Sequence, residues 1–292
     1  MRTRAASTIV PTGKGIRIAY DDVGEGSDVL LLVHGHPFNR SMWAPQVEAF
    51  RDSGWRVIVP DLRGYGDSTV VPGKTPLAVF ADDLAAVLDD RAIESVVIGG
   101  LSMGGQIAME FCRRFPSRVR GLLLAATFPQ AETDDGRQRR NAMADRLVRE
   151  GMTPYAEEAL PKMLAPGSIE ALPDVAAHVL SMMRATNPEG AAAALRGRAE
   201  RPSYEDTLAR IDVPAVVIIG DEDAFTTRGD AELMRDLLRG AELVWLPGIG
   251  HMPNLEAPEA FNSALARLLE RVMRYRDASR VEAAESSARA SS

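Results

Sequence analysis

Short runs of mostly apolar residues recur along the chain, and they constrain its fold more than any other feature of the sequence. The runs lie at 29–33, 56–60, 95–99, 121–125, 214–220 and 241–247. Such runs are typical of strands buried on both faces of a sheet. Amphipathic helical patterns occur between and after the runs, at 41–52, 76–90, 102–115, 228–239 and 256–273. This alternation predicts an α/β fold with a mostly parallel sheet and helices on both faces.

Two further segments and one interruption complete the predicted architecture. The segments 7–10 and 16–20 flank a turn at 12–15, which predicts an antiparallel N-terminal hairpin and brings the sheet to eight strands. From 130 to 208 there is no strand signal, and helical stretches punctuated by Gly and Pro predict a cap inserted before the seventh strand. The expected units are a core at 1–129 and 209–275, a cap at 130–208 and a disordered tail at 276–292.

The charge and the cysteine content exclude several classes of protein. The formal net charge is -7 and the pI is about 5.3, so the surface repels nucleic-acid phosphates and anionic lipid, and neither is expected as a partner. No apolar stretch is long enough for a membrane span, and the N-terminal segment lacks the apolar region of a secretory signal. Cys112 is the single cysteine and cannot form an intrachain disulfide, so we expect a cytoplasmic protein.

A candidate nucleophile follows the predicted strand at 95–99. Ser102 lies at the centre of Gly100-Leu101-Ser102-Met103-Gly104, directly before a predicted helix. This context predicts a nucleophile elbow, in which a sharp turn projects the hydroxyl above the sheet. The N–H of Met103 is then a natural donor to an oxyanion, supported by the positive end of the helix. The alternative is a glycine-rich turn in which Ser102 only caps the helix.

Histidine is the side chain best suited to activate this serine, and the chain has four. His251 follows the last predicted strand in a tight loop between Gly248 and Met252, on the same sheet edge as Ser102. We therefore predict His251 as the base. The alternative is a loop histidine bonded to backbone. His178 lies in the predicted cap and is expected at the surface.

A carboxylate is expected beside the base to fix its tautomer. The loop after the strand at 214–220 offers Asp221, Glu222 and Asp223. Asp223 is the predicted acid because it lies farther from the strand end and can reach the next loop, with Asp221 as the alternative. Some of these carboxylates could instead cap the following helix.

The segment His34-Gly35-His36-Pro37-Phe38 follows the strand at 29–33 and predicts the second half of an oxyanion hole. The backbone N–H of His36 is the candidate donor, because Pro37 has none. Whether the His36–Pro37 bond is cis, and whether the His36 side chain faces the pocket, stays open. His34 is expected to tie loops together through hydrogen bonds. We expect the substrate to contact Phe38, Trp43 and Phe128.

Methionines recur through the predicted cap. They either line an apolar pocket or form the small core of the cap itself, and the second alternative is favoured. They are Met143, Met152, Met163, Met182 and Met183.

These segments occur in a characteristic order. They are His34-Gly35-His36-Pro37, Asp61 to Ser68, the elbow at 100–104, Gly220 to Asp223, and Gly250-His251 followed by Glu256 and Pro258. From about residue 7 to 273 the sequence resembles the α/β-hydrolase fold family, and within it the cap-bearing carboxylesterases, 3-oxoadipate enol-lactonases and cofactor-free perhydrolases. The resemblance implies an acyl-enzyme mechanism without metal or cofactor, and a pocket between sheet edge and cap. It also implies structural roles for Asp61 to Ser68, and a helix start at Glu256 and Pro258.

Two departures narrow the activity. Ser102 stands where haloalkane dehalogenases and epoxide hydrolases of this fold have Asp, and Leu101 stands where hydrolases of ring-fission dienones typically have Asn. We therefore expect a serine hydrolase of a small-molecule carboxylic ester or lactone, acting as a monomer or homodimer. Perhydrolase, haloperoxidase or thioesterase chemistry on the same triad stays an alternative. So does a slow-turnover receptor, or a biosynthetic cyclase or acyl transferase.

Overall fold

The computed structural model describes residues 8–11 and 15–290, with the side chains of the last helix described as far as Asp277. Eight strands form one sheet: β1 (Thr8–Pro11), β2 (Arg17–Val23), β3 (Asp28–Val33), β4 (Trp55–Pro60), β5 (Val96–Leu101), β6 (Val119–Ala125), β7 (Ala215–Gly220) and β8 (Glu242–Leu246). Their order across the sheet is β1-β2-β4-β3-β5-β6-β7-β8. The first two strands pair antiparallel, β2 is antiparallel to β4, and every later pair is parallel. The predicted α/β fold is confirmed.

Helices follow the strands in the order that the sequence predicts. They are α1 (Ala44–Phe50), α2 (Leu77–Asp90), α3 (Met103–Arg114), α4 (Asp134–Glu150), α5 (Met152–Met163), α6 (Pro166–Ala171), α7 (Pro173–Ala185), α8 (Pro188–Arg198), α9 (Glu205–Ala209), α10 (Arg228–Leu237), α11 (Pro253–Glu256) and α12 (Pro258–Ala290). Helices α4 to α9 lie between β6 and β7, as the predicted insertion requires.

The central strands are apolar throughout because both of their faces are covered. Successive side chains of a strand point to opposite faces, so Leu31 joins a cluster with α2, α3 and α10, while Leu30 joins a second cluster with α1 and α12. Neither leucine is accessible to solvent. Full burial of such a side chain contributes about 2 kcal/mol relative to exposure. The sheet is therefore a rigid platform for the loops at its carboxyl edge.

The helical insertion has a small apolar core of its own. Helix α4 packs on α8 through Ala144, Leu147, Ala191, Ala192 and Leu195. Alanine lets the two helices approach closely. Helices α5 and α7 pack on each other, and their apolar residues join the cluster on the second face of the sheet. Helix α9 contacts α3 and α10 instead. The boundaries of the cap at 130 and 208 stay a prediction.

Helix α12 extends from Pro258 to Ala290 and so runs through most of the segment at 276–292. The disorder expected for that segment stays a prediction. Ala, Glu and Arg are frequent there, and all three favour helix without any apolar partner. Residues 291–292, and residues 12–14 of the predicted hairpin turn, lie outside the described residues. No helix among the residues described is long and apolar enough to cross a membrane.

Candidate active site

Ser102 occupies the single residue between β5 and α3. Its backbone has φ 56° and ψ -116°, a strained conformation for a side chain with a Cβ. A Cβ on Gly100 would lie 2.2 Å from the carbonyl oxygen of Gly104, and a Cβ on Gly104 would lie 2.1 Å from that of Val33. Both positions therefore require glycine. This tight strand-to-helix turn has the geometry of a nucleophile elbow.

Two backbone N–H groups near Ser102 are available to a ligand. Met103 is the first residue of α3, where an N–H has no partner within the helix. Neither the Met103 N–H nor the His36 N–H donates to another described residue. The His36–Pro37 peptide bond is cis. Orphaned donors are expensive to bury, so a pair of them beside a serine is a natural site for an oxyanion.

His251 and Asp223 form a buried pair. The Nδ1 of His251 lies 2.9 Å from Asp223 Oδ1 and 3.0 Å from Oδ2. The side chain of Asp223 is inaccessible to solvent and that of His251 is 3% exposed. The alternative acid, Asp221, accepts a hydrogen bond from the N–H of Gly248 at 2.6 Å. Asp223, and not Asp221, therefore meets the imidazole.

The environment of Asp223 favours its charged form. Burial raises the pKa of this carboxyl, but the charge and hydrogen bond of His251, together with two backbone hydrogen bonds, lower it below its usual value. The two backbone donors are the N–H groups of Phe225 and Thr226, at 2.8 and 3.3 Å. Asp223 is thus an ionised acceptor held in place from two sides.

Glu256 holds the His251 loop, a role that the sequence analysis missed. Its carboxylate accepts hydrogen bonds from the backbone N–H groups of Gly250 and Met252, which flank His251, at 3.1 and 3.0 Å. A third bond, at 2.9 Å, comes from Ala165 in the loop between α5 and α6. The expectation that Glu256 only begins a helix is therefore incomplete. Its position five residues after His251 was the available signal.

The two histidines after β3 have different surroundings. His34 receives the N–H of Leu62 at Nε2 and contacts the Gly35 carbonyl through Nδ1, so it ties the loops after β3 and β4 together as expected. His36 contacts the hydroxyl of Tyr65 through Nδ1 at 2.8 Å, while its buried Nε2 has no partner among the described residues.

The Asp61 to Ser68 segment has the structural role that the sequence analysis expected. Asp61 is fully buried and accepts hydrogen bonds from the backbone N–H groups of Arg40 and Asp67. Its carboxylate also forms an ion pair with the Arg40 guanidinium. The Ser68 hydroxyl donates to the Asp61 carbonyl and accepts from Ala19.

A cavity of about 400 Å³ lies between the sheet edge and the cap. Its lining includes both Ser102 and His251. Phe128 lies in the wall, as expected. Phe38 and Trp43 do not, because both are fully buried in the apolar cluster on the second face of the sheet. Their large side chains fill the core beneath the loop instead.

The cap methionines divide between the two expected roles. Met143 and Met163 line the cavity. Met152, Met182 and Met183 are buried in apolar clusters and do not line it. Three of these five methionines therefore belong to apolar cores and not to the cavity wall.

Aromatic and charged residues that the sequence analysis did not select also line the cavity. Phe225 packs on His251 with ring centroids 4.7 Å apart. Tyr155 and Arg198 face the cavity from α5 and α8, and Arg140 from α4. No local pattern marks these residues, because the cap helices bring them together only after folding. Among the described residues no group of three or more His, Cys, Asp or Glu could hold a metal ion.

The chain belongs to the alpha/beta hydrolase family, whose sequence model matches residues 30–264. Family and relatives together make it a hydrolase. A 3-oxoadipate enol-lactonase from Acinetobacter baylyi is 29% identical over 262 residues, covering 89% of this chain and 96% of that protein. A pimeloyl-acyl-carrier-protein methyl ester esterase from Neisseria meningitidis is 31% identical over 246 residues, covering 80% and 89%.

Solved structures agree with this assignment. A thermophilic esterase from Thermogutta terrifontis superimposes with a TM-score of 0.86 at 36% identity, covering 93% of this chain and 99% of that one. The similarity thus extends over the whole fold, including the cap region.

Proposed function

We propose that this protein hydrolyses a carboxylic ester or lactone through an acyl-enzyme, with Ser102 as nucleophile, His251 as base and Asp223 as the orienting acid. One observation carries the proposal. The buried His251–Asp223 pair and the strained Ser102 turn line the same cavity. A serine becomes nucleophilic when a nearby imidazole takes its proton, and a buried carboxylate keeps that imidazole in the required tautomer. Similarity to an enol-lactonase and to esterases supports the same chemistry.

The proposed reaction has two halves. His251 removes the Ser102 proton as the hydroxyl oxygen attacks the substrate carbonyl. The N–H groups of Met103 and His36 stabilise the oxyanion of the tetrahedral intermediate. His251 then gives the proton to the departing alcohol, which leaves an acyl group on Ser102. Water, activated by His251, attacks this acyl group and releases the acid. In a lactone, the departing alcohol is part of the acyl chain, so hydrolysis releases a single hydroxy acid.

Removing the nucleophile tests the proposal. Ser102→Ala is expected to lower kcat for p-nitrophenyl acetate or butyrate by about 10⁴- to 10⁶-fold, because covalent catalysis is lost. Fluorophosphonate labelling should disappear in the same variant. The matched control is Ser263→Ala, since Ser263 is exposed on α12 and does not line the cavity. Unchanged turnover or labelling in Ser102→Ala would remove Ser102 from the mechanism.

A further inference from the structure

The cap side of the cavity contains a buried cation without a matching anion. Arg198 ends helix α8, is 9% exposed and lines the cavity. Its Nε donates to Gln106 Oε1 at 2.7 Å, which is the one hydrogen bond that its guanidinium makes within the described part of the chain. No described carboxylate lies within ion-pair distance of it. Burying an unpaired charge is costly, so such a cation calls for a ligand.

The neighbouring charges increase this imbalance. Glu132 is the nearby carboxylate, and it already forms ion pairs with Arg140 and Arg201. Burial, and then the positive charges of Arg140 and Arg201, lower the pKa of Arg198 well below its usual value. The three guanidinium groups of Arg140, Arg198 and Arg201 thus have one carboxylate, Glu132, near them. The charged form of Arg198 is destabilised at this position. A bound anion would relieve both the repulsion and the lost hydration.

His36 supplies a second, neutral donor to the same cavity. The Tyr65 hydroxyl is fully buried, and His36 Nδ1 is its one hydrogen-bond partner among the described residues. A buried hydroxyl needs an acceptor, which assigns its proton to the bond with Nδ1 and places the imidazole proton on Nε2. Burial, and then the charges of Arg198 and Arg140, hold the pKa of His36 well below its usual value. The ring is therefore neutral, and its buried Nε2–H has no partner among the described residues.

The Arg198 and His36 side chains lie close to the place where Ser102 would attack a substrate carbonyl. Gln106, which holds Arg198, lies one helical turn after Ser102 and donates its own N–H to the Ser102 carbonyl at 3.2 Å. The backbone N–H of His36 is the proposed oxyanion donor. A ligand that contacts Arg198 and the His36 side chain therefore also reaches Ser102 within a cavity of about 400 Å³.

We propose that Arg198 and the Nε2–H of His36 bind a carboxylate of the substrate, so that the preferred substrate is a small half-ester or a lactone that carries a free carboxylate. The proposal rests on the proposed hydrolysis at Ser102. Arg139 and Lys162 also line the cavity and are exposed. Their charges attract an anion toward the opening of a protein whose net charge is -7.

A pair of matched esters tests the subsite. Monomethyl adipate carries a carboxylate where methyl hexanoate carries a methyl group, and methanol release reports both reactions. We expect the protein to hydrolyse monomethyl adipate with a kcat/KM about 10- to 100-fold higher, because an ion pair with a desolvated guanidinium is a strong contact. Equal or lower kcat/KM for the half-ester would overturn the subsite while leaving the hydrolase proposal intact.

The variant Arg198→Met isolates the cation. It should lower kcat/KM for monomethyl adipate by about 10- to 100-fold and change that for methyl hexanoate by less than about threefold. Arg198→Lys should recover part of the loss. Arg196→Met is the control on the same helix, because Arg196 pairs with Asp145 and does not line the cavity. An equal loss on both esters would mean that Arg198 only supports the fold.

A binding measurement covers the cases in which Arg198→Met does not fold or no ester is turned over. Calorimetry with folded Ser102→Ala should show adipate binding, while adipamide, its neutral diamide, should bind at least about tenfold more weakly. Binding of both with equal affinity, or of neither, would overturn the subsite. If adipate binds as expected but wild-type protein hydrolyses neither ester nor lactone, the subsite stands and the hydrolase proposal fails.

Discussion

The polar side chains on the two sides of the cavity differ in how far their hydrogen-bonding groups have partners. At the sheet edge, the two carboxylates that position His251 are saturated: Asp223 accepts from three donors and Glu256 from three backbone N–H groups. On the cap side and in the His36 loop, Arg198 and the His36 side chain have donors without partners. A saturated wall is suited to hold reacting groups in one geometry, whereas an unsaturated wall is suited to bind a ligand that completes it. The groups that position His251 and the groups proposed to bind the substrate carboxylate are thus different side chains.

The largest expected effect is at the saturated wall. Asp223→Asn should lower kcat by about 10³- to 10⁴-fold, because an amide cannot stabilise the imidazolium and favours the wrong tautomer. Asp221→Asn should stay within about threefold of wild type, since Asp221 bonds to Gly248 and not to His251. The comparison is made with one neutral ester by steady-state kinetics. A small effect of Asp223→Asn, or a larger effect of Asp221→Asn, would reverse the assignment of the acid.

A smaller effect is expected at Glu256, which holds the loop that carries His251. Glu256→Gln should lower kcat by about 10- to 100-fold and Tm by about 3 to 10 °C, because an amide group faces backbone donors beside His251 and releases the loop. Glu259→Gln is the matched control on the exposed first turn of α12. Kinetics and thermal unfolding together report the effect. If Glu256→Gln lost stability but kept full kcat, the catalytic position of His251 would not depend on the hydrogen bonds of Glu256.

The smallest effect is a pH dependence of stability. Because the folded state lowers the pKa of Asp223, its carboxylate stabilises the fold above the unfolded value near 3.9, and this contribution is lost as pH falls through the lower folded value. The difference in unfolding free energy between wild type and Asp223→Asn should shift against wild type as pH falls below about 4. Asp22, Asp28 and Glu132 also have lowered pKa values and cancel in this difference. Urea unfolding from pH 3 to 6 measures it, and a pH-independent difference would contradict the ionised pair.

The architecture was predictable because its signals are local. The run at 29–33 corresponds to β3, Asp28–Val33, and the run at 121–125 to β6, Val119–Ala125. In a strand whose two faces are both covered, every residue must be apolar, so the strand can be recognised from consecutive apolar positions. Ser102 was equally visible, since the turn between β5 and α3 requires glycines at defined distances from it.

Failures occurred where the outcome depended on distant contacts. Phe38 and Trp43 were expected at the substrate, yet the space beneath the loop closes around them. The residues adjacent to a side chain in the sequence do not determine whether that side chain packs in the core or lines a cavity.

The sequence by itself determined the strands, the tight turn at Ser102 and the place of His251 on the same sheet edge, because each depends on residues adjacent in the chain or on the shared edge of parallel strands. Only the tertiary structure decided that Glu256 holds the His251 loop and that Arg198 lies in the cavity without a carboxylate. Both outcomes depend on charges and backbone groups from separate elements, whose distances arise only when the cap packs against the sheet edge.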